Sequence, residues 1–239
     1  MENIVNLWFP VRGEYLYADQ NHRLLASLSK QCPAIHEIEN LSINTIAGIP
    51  DKQGKIALTR SSKLLIRLPV EAIAQVYSLA GQTLIIGSYA IKLGNPELQT
   101  LQPVATLQAR LVTIKGYTEP QSFLEAAQRQ LEALEIEANI GILANDEGEP
   151  KRLTLKINKA ERTSHGFEVS SNPVSSQKRS YTIVGFSVVV TDLKPEDAIK
   201  LQAQGIGGKR RMGCGVFYPN IPSLRRQQGG SYEAEVTIS

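Results

Sequence analysis

Cysteine and histidine are scarce in this 239-residue chain, which contains only two cysteines and three histidines. Cys32 and Cys214 are far apart in the sequence and do not have the spacing of metal ligands. Three histidines without a clustered cysteine or carboxylate partner do not complete such a set. We therefore expect no structural zinc site, no other metal and no cofactor.

Long apolar runs are also missing. No segment approaches eighteen consecutive apolar residues, and the first residues lack the basic region and apolar run of a secretory signal. The 42% hydrophobic and 21% charged content is ordinary for a soluble globular protein. These features predict a cytoplasmic protein with no membrane partner.

The charge balance is close to neutral, but its distribution is uneven. A net charge of +3 is too small by itself to indicate nucleic-acid binding. Between residues 205 and 232, however, there are five lysines or arginines and no acidic residue. This concentrates positive potential in one region and favours a negatively charged ligand.

Residues 205–215, which we call the glycine loop, combine backbone freedom with positive charge. Five of the eleven residues are glycines that allow close approach of the main chain to a ligand, namely Gly205, Gly207, Gly208, Gly213 and Gly215. Lys209, Arg210 and Arg211 lie between them. Peptide N–H groups together with lysine and arginine are typical of a phosphate site, so the loop predicts a polyanionic ligand.

Two common phosphate loops are excluded by spacing. In a mononucleotide P-loop the Gly-Lys pair is followed by Ser or Thr, whereas Arg210 follows Lys209 here. A dinucleotide-binding turn requires a further glycine three residues after Gly207 and a helix beyond it. Arg210 occupies that position, and the residues after the loop are typical of a strand.

Hydrophobic periodicity and turn residues predict the order βαββαβ in the first part of the chain. We expect a helix beginning near Asp19 or Asn21, either of which could cap it, and ending at Gln31 before Pro33. A second helix begins at Pro69. The predicted strands are residues 3–12, 41–47, 63–68 and 83–92.

The same order returns after a turn-rich stretch at residues 94–96. Predicted strands cover residues 104–115, 138–143, 181–191 and 213–218, and predicted helices cover 120–134 and 195–204. An inserted hairpin at 152–157 and 166–169, which places His165 in a solvated turn, and a polar loop at 172–179 interrupt this copy. The sequence thus predicts an α+β fold of two tandem ferredoxin-like (βαββαβ) domains, residues 1–97 and 98–220, with a polar tail at 221–239.

Several of these segments together resemble a known family. The glycine loop leading into Val216 and Phe217, the strand segment 7–13, the helix segment 19–26 and the segment 33–37 are similar to the repeat-associated RNA-binding superfamily of CRISPR systems. Within it, the chain resembles the Myxococcus-type branch of endoribonucleases that cut CRISPR precursor RNA into guide RNAs. The resemblance covers nearly all of the chain to about Pro219.

The resemblance implies metal-independent cleavage with the 2′-hydroxyl of RNA as the nucleophile. One imidazole of near-neutral pKa and nearby cations suffice for this reaction, which leaves a 2′,3′-cyclic phosphate and a 5′-hydroxyl. Family members place a histidine in or just after the first helix, so His22 is our first candidate and His36 the second. Tyr15, and with it Tyr17, could orient the substrate or only pack.

Cations around the inserted hairpin are further candidates for RNA binding or an ordinary solvated surface. These residues are Lys151, Arg152, Lys156, Lys159 and Arg162, with Lys178 and Arg179 in the following loop. The implied partners are CRISPR repeat RNA, as precursor and as mature guide RNA, and other subunits of a surveillance complex. Two alternatives remain open, namely a guide-RNA-binding subunit that does not cut and a ferredoxin-like protein whose glycine loop binds a small phosphorylated ligand.

Overall fold

The computed structural model of the chain describes residues 3–51, 53–159 and 179–219. Four features predicted above lie outside these residues: the strand at 166–169, most of the loop at 172–179, the turn with His165, and the tail at 221–239. Lys178 and Arg162 lie outside them as well. Arg179 is the first residue of a strand.

The first half of the chain builds a sheet of six strands and a separate small sheet. The large sheet has the order β3-β6-β1-β8-β7, with β9 also paired to β1, and the small sheet has the order β2-β5-β4. All of these pairings are antiparallel. The strands are β1 (Ile4–Arg12), β2 (Tyr15–Tyr17), β3 (Ser42–Ile43), β4 (Ile49–Pro50), β5 (Lys55–Ala57), β6 (Lys63–Pro69), β7 (Thr83–Ile86), β8 (Tyr89–Leu93) and β9 (Glu97–Thr100).

The second half builds a five-stranded antiparallel sheet with the order β11-β13-β10-β14, and β12 pairs with the long β13. Its strands are β10 (Leu107–Val112), β11 (Asn139–Ile142), β12 (Arg152–Lys159), β13 (Arg179–Thr191) and β14 (Tyr218–Pro219). Strands β1, β3, β6 and β8 of the first sheet, and β10, β11, β13 and β14 of the second, correspond to strands 1 to 4 of a βαββαβ unit. In this numbering both sheets have the order 2-3-1-4, and β7, β9 and β12 are additional strands. The prediction of two ferredoxin-like units is therefore confirmed.

In the described ranges, four α-helices connect the strands: α1 (Asn21–Gln31), α2 (Ile73–Tyr77), α3 (Pro120–Ala133) and α4 (Pro195–Gln204). Proline at the first position of α3 and α4 supplies a pre-set φ and lacks the N–H that would otherwise be unpaired there. The predicted cap of α1 is wrong, since neither Asp19 nor Asn21 caps it. Gln20 is the N-cap and makes no capping hydrogen bond; its side-chain amide instead pairs with the main chain of Ile46.

Several predicted strands are shorter or divided, among them the one expected at 104–115, which is Leu107–Val112. The strand expected at 41–47 is reduced to Ser42–Ile43, and the one at 213–218 to Tyr218–Pro219. The strand expected at 83–92 is a hairpin, because Gly87 has a φ of 67° and turns the chain between β7 and β8. Likewise, the start of the helix expected at Pro69 is a 3₁₀ turn (Val70–Ala72) ahead of α2.

Each half has its own apolar core, and a third cluster lies where the halves meet. The first core is formed by residues between Val5 and Leu93, and the second by residues between Leu107 and Phe217. The third contains Leu155 and Met212 of the second half, with Leu25 of α1 packed against it. Among the described residues, none of the helices is long and apolar enough to cross a membrane.

Candidate nucleic-acid interface

The glycine loop leaves α4 and returns closely on itself. A Cβ atom on Gly205 would lie 2.2 Å from the carbonyl oxygen of Gly215, and one on Gly215 would lie 2.1 Å from that of Ile206. Both glycines also have positive φ, 63° and 66°. Only glycine fits these two positions, so part of the glycine content is required by the fold of the loop itself.

The three cations of the loop have different environments. Arg210 donates from Nη2 to the carbonyl oxygen of Ala203 at 2.5 Å, and burial lowers the pKa of its guanidinium to about 10. Arg211 donates from Nη2 to the carbonyl oxygen of Ile38 at 2.7 Å. Lys209 is exposed, in left-handed backbone conformation with a φ of 67°. Lys209 is therefore the cation that the loop presents to solvent.

Each arginine of the loop still has an unused donor. The Nε atoms of Arg210 and Arg211 are buried and have no hydrogen-bond partner within the described part of the chain. A buried donor without a partner costs free energy relative to a paired one. Both Nε atoms are shielded from solvent by the folded loop, so this cost belongs to the loop's own conformation.

The loop rests on the first half at two places. The side-chain amide of Asn21, the first residue of α1, donates to the carbonyl oxygen of Met212, and Arg211 contacts Ile38 as described above. A Cβ on Gly213 would lie 3.2 Å from Asn21 Nδ2 and 3.3 Å from the carbonyl oxygen of Ile43. The loop thus contacts the segments that carry both candidate histidines.

His22 and His36 occupy different settings on these segments. His22 directly follows Asn21 in the first turn of α1 and is half-buried. His36 ends a 3₁₀ turn (Pro33–His36), two residues before Ile38, and is exposed. Tyr15 lies in β2 and is 44% exposed, beside a shallow pocket that Asp51, Gln53 and Lys55 also line.

Two of the hairpin cations, Arg152 and Lys156, face away from the glycine loop. Leu155 and Ile157 of β12 pack in the cluster with Met212, and side chains alternate between the two faces of a strand. Lys156 therefore projects from the opposite face, together with Arg152, whose Nη2 donates to Glu119 Oε1 at 3.0 Å and to the carbonyl oxygen of Thr118. Lys151 is exposed, and nothing is described for the side chains of Lys159 and Arg179.

A buried arginine that we did not single out in the sequence links the two halves. Arg67 in β6 is 1% exposed and donates from Nε to Asn6 Oδ1 at 2.8 Å and from Nη1 to the carbonyl oxygen of Gln202 in α4 at 2.5 Å. Burial, and secondarily the charge of Arg210, lower the pKa of its guanidinium. The signal was present in the sequence as one cation within an otherwise apolar strand. Asn21 gave no comparable signal, because its partner is 191 residues away.

No group of three or more His, Cys, Asp or Glu side chains that could hold a metal ion occurs in the described ranges 3–51, 53–159 and 179–219. Cys214 is fully buried in the third cluster, and burial raises the pKa of its thiol to about 11. Such a thiol is protonated at neutral pH and is a poor nucleophile.

The two main sheets, each with its βαββαβ strand order, define a tandem ferredoxin-like protein. Solved structures share this architecture. A structure described as CRISPR associated protein Cas6 superposes with a TM-score of 0.53 at 8% identity, covering 90% of this chain and 98% of that chain. A Cas6-related protein from Pyrococcus furiosus gives a TM-score of 0.51 at 12% identity, covering 91% and 98%. At these identities the likeness concerns the fold alone.

Sequence comparison gives the family. A family model described as Cas6 Crispr matches residues 5–221. The chain is also 32% identical over 226 residues to the CRISPR-associated endonuclease Cas6 of Myxococcus xanthus (strain DK1622), covering 95% of this chain and 86% of the relative. The chain belongs to the Cas6 family, and the resemblance noted from its motifs is confirmed.

Proposed function

We propose that this protein is a metal-independent endoribonuclease that cleaves CRISPR precursor RNA within the repeat and retains the resulting guide RNA. The observation that carries the proposal is the contact of the glycine loop with the two segments that bear His22 and His36. A phosphate held at this loop lies near an imidazole supplied by the other half of the chain. The relative from Myxococcus xanthus, named as a CRISPR-associated endonuclease, supports the same class of reaction.

The reaction needs little chemical equipment from the protein. The imidazole of His22 accepts the proton of the 2′-hydroxyl, the 2′-oxygen attacks the adjacent phosphorus, and the bond from phosphorus to the 5′-oxygen breaks. A proton from solvent neutralises the leaving 5′-oxygen. The products are a 2′,3′-cyclic phosphate and a 5′-hydroxyl, and the histidine loses its extra proton to water. In the alternative role, His22 begins protonated and donates its proton to the leaving 5′-oxygen as a general acid.

The cations of the glycine loop have two roles, phosphate binding and positioning of the loop. Lys209, exposed at the outside of the loop, contacts phosphate and stabilises the charge that develops during the reaction. Arg210 and Arg211 hold the loop against α4 and the first half through their bonds to Ala203 and Ile38. Tyr15, exposed on β2, orients the substrate strand.

The cations of β12 contribute a weaker contact. Lys151 and Lys156 are exposed, whereas Arg152 is engaged by Glu119. Because Arg152 and Lys156 lie on the face of β12 opposite the glycine loop, we assign these cations to the distal part of a repeat stem rather than to the cut. Recognition of such a stem by shape is the usual mode for double-stranded RNA. Retention of the product would let the protein deliver guide RNA to other subunits of a surveillance complex.

The test uses the wild-type chain and repeat RNA from the genome that encodes it, in buffer with EDTA. We expect one discrete cut, with a 5′-hydroxyl on one product and a cyclic phosphate on the other. RNA carrying a 2′-deoxyribose at the cut position should bind but remain intact. Retention of unmodified RNA without cleavage would instead identify a guide-RNA-binding subunit, and absence of salt-dependent binding would indicate a small phosphorylated ligand.

The histidines are then compared as a matched pair. His22→Ala should lower the single-turnover cleavage rate by about a hundredfold or more, the range associated with loss of a general acid or base, while RNA binding changes little. His36→Ala should retain near wild-type cleavage. The opposite pattern would move the role to His36, and wild-type rates in both variants would remove the histidines from the reaction.

A further inference from the structure

Tyr17, at the end of β2, is held on three sides by the hairpin between β7 and β8. Its hydroxyl lies 2.7 Å from Ser88 Oγ, and its ring packs edge-on against Tyr89 with centroids 4.9 Å apart at 62°. Gly87 completes the contact, because a Cβ there would lie 2.7 Å from the ring. The Tyr17 ring is therefore fixed in position before any ligand binds.

Arg23 of α1 lies on this fixed ring. Its guanidinium carbon is 4.3 Å from the Tyr17 ring centroid, within the range of a cation–π contact. The side chain is exposed and makes no hydrogen bond or ion pair with another described residue. The guanidinium thus lies over the Tyr17 ring, and its N–H donors have no partner among the described residues.

We propose that Arg23, stacked on Tyr17, is a subsite for an unpaired nucleobase of the RNA strand beside the cleavage position. This inference rests on the proposed function. Unstacked bases of single-stranded RNA stack on guanidinium planes and aromatic rings, and they accept hydrogen bonds from the same cation at their edges. Arg23 directly follows His22 in α1, so a base bound there belongs to a nucleotide close to the scissile phosphate.

Two features favour a ligand role for Arg23 over packing alone. Tyr17 is already joined to the hairpin through Ser88 and Tyr89, and the Arg23 guanidinium makes no hydrogen bond or ion pair with another described residue besides lying over this ring. Tyr15 is also exposed and, by strand alternation, projects on the same side of β2 as Tyr17. Two aromatic side chains therefore line one side of the strand that leads into α1.

The experiment compares Arg23→Lys with the wild-type chain, because lysine keeps the charge and removes the plane. Binding is measured by fluorescence anisotropy on repeat RNA made resistant by a 2′-deoxyribose at the cut. A second series carries one abasic position at a time through the unpaired nucleotides around the cut. Arg129→Lys is the matched control. Arg129 lies on α3 in the second half, and its guanidinium carbon is likewise over a tyrosine ring, 5.7 Å from the centroid of Tyr117.

We expect Arg23→Lys to weaken binding by roughly tenfold, the order found when a stacking platform for one base is lost. One abasic position should weaken the wild-type complex by a similar factor and have no further effect on Arg23→Lys. Arg129→Lys should bind as the wild type does at every position. Arg23→Lys should also melt at the wild-type temperature, because Arg23 is exposed.

Other outcomes overturn the subsite. If Arg23→Lys binds every RNA as tightly as the wild type while Arg23→Ala binds all of them more weakly, Arg23 contacts a backbone phosphate and not a base. If neither variant differs from wild type, Arg23 lies outside the RNA site while the proposed function stands. A wild-type chain that binds no repeat RNA would refute the proposed function, and the subsite with it.

Discussion

The side-chain amide of Asn21 donates a hydrogen bond to the main-chain carbonyl of Met212, so the first residue of α1 is bonded to the glycine loop of the other half. Asn21 is only 3% exposed, and His22 follows it directly. The bond sets the position of the candidate catalytic histidine relative to the loop that we assign to phosphate binding.

Asn21→Ala tests this arrangement. Loss of the bond leaves the Met212 carbonyl without that donor in a buried place, which should lower the free energy of unfolding by about 1–3 kcal/mol. Because alignment is disturbed, the cleavage rate should fall by about tenfold or more while RNA affinity changes less. Urea denaturation and single-turnover kinetics measure the two effects.

Asn139→Ala is the control for Asn21. Asn139 also donates a side-chain hydrogen bond, to Asp192 Oδ2 at 2.7 Å, but it is exposed and lies at the edge of the second sheet. Its replacement should change the free energy of unfolding by no more than about 0.5 kcal/mol and leave cleavage unaltered. Equal behaviour of the two variants would argue against a positioning role for Asn21.

Two glycines of the loop should respond oppositely to alanine. A Cβ at Gly215 meets the Ile206 carbonyl at 2.1 Å and the backbone has positive φ, whereas a Cβ at Gly208 meets nothing within 4 Å. Gly215→Ala should therefore destabilise the protein by several kcal/mol or prevent folding, and Gly208→Ala should fold normally. Thermal melts compare the pair, and a Gly215→Ala protein with wild-type stability would contradict the described loop.

Lys209 offers a test in which stability and binding change in opposite directions. Its φ of 67° is costly for lysine and ordinary for glycine, so Lys209→Gly should raise the free energy of unfolding by up to about 1 kcal/mol. The same change removes the exposed cation of the loop and should weaken RNA binding, with the slope of log affinity against log salt reduced by about 1.

Arg210→Ala provides the contrast to Lys209→Gly. It removes the bond to Ala203 and the packing of a largely buried side chain, so it should lower the free energy of unfolding. RNA affinity measured over a series of salt concentrations, together with the melting temperatures of both variants, separates the binding role of Lys209 from the structural role of Arg210. Unchanged RNA affinity in Lys209→Gly would remove this residue from the phosphate site.

Cys214 makes stability depend on pH in the alkaline range. Burial raises the pKa of its thiol from 9.0 to about 11. Between these values the unfolded chain has lost the proton and the folded chain keeps it, so the unfolded state binds fewer protons and stability falls as pH rises. Over the window from pH 9 to 11 the loss should approach ~2–3 kcal/mol.

Urea denaturation at pH 8, 9, 10 and 11 measures this slope, and Cys214→Ala serves as the reference without the thiol. The variant should be less stable than the wild type at pH 8, and the difference should shrink as pH rises. Parallel pH profiles for the two proteins would show that Cys214 does not carry the effect. At pH 8 the native thiol should also resist alkylation.

Local signals in the sequence predicted the bounds of α3 and α4 well and those of α2 poorly. Pro195 and the glycine after Gln204 mark both ends of α4, and the predicted bounds agree with the structure; Pro120 does the same for the start of α3. The bounds of the strands were harder to predict, because a strand ends where its pairing with the neighbouring strand ends. The residues expected to form a strand at 41–47 pair with β6 only at Ser42 and Ile43.

The candidate site could be predicted only in its composition. The cations and glycines of the loop were evident, and the histidines were named, but the direction of each side chain depends on contacts between distant residues. Arg211 contacts Ile38 across 173 positions, and this partner is invisible to any local pattern. Which histidine acts on RNA depends on the substrate and stays a prediction.

Arg67 has a consequence for how the protein can come apart. Its guanidinium is shared between Asn6 of the first half and the Gln202 carbonyl of the second. If the chain were cut near residue 103, each fragment would expose one side of this junction. The first fragment would keep Arg67 bonded to Asn6 but would lose its hydrogen bond to the Gln202 carbonyl. Calorimetry of the intact chain should accordingly record a single heat-absorption peak, and neither fragment should be obtainable alone in folded form.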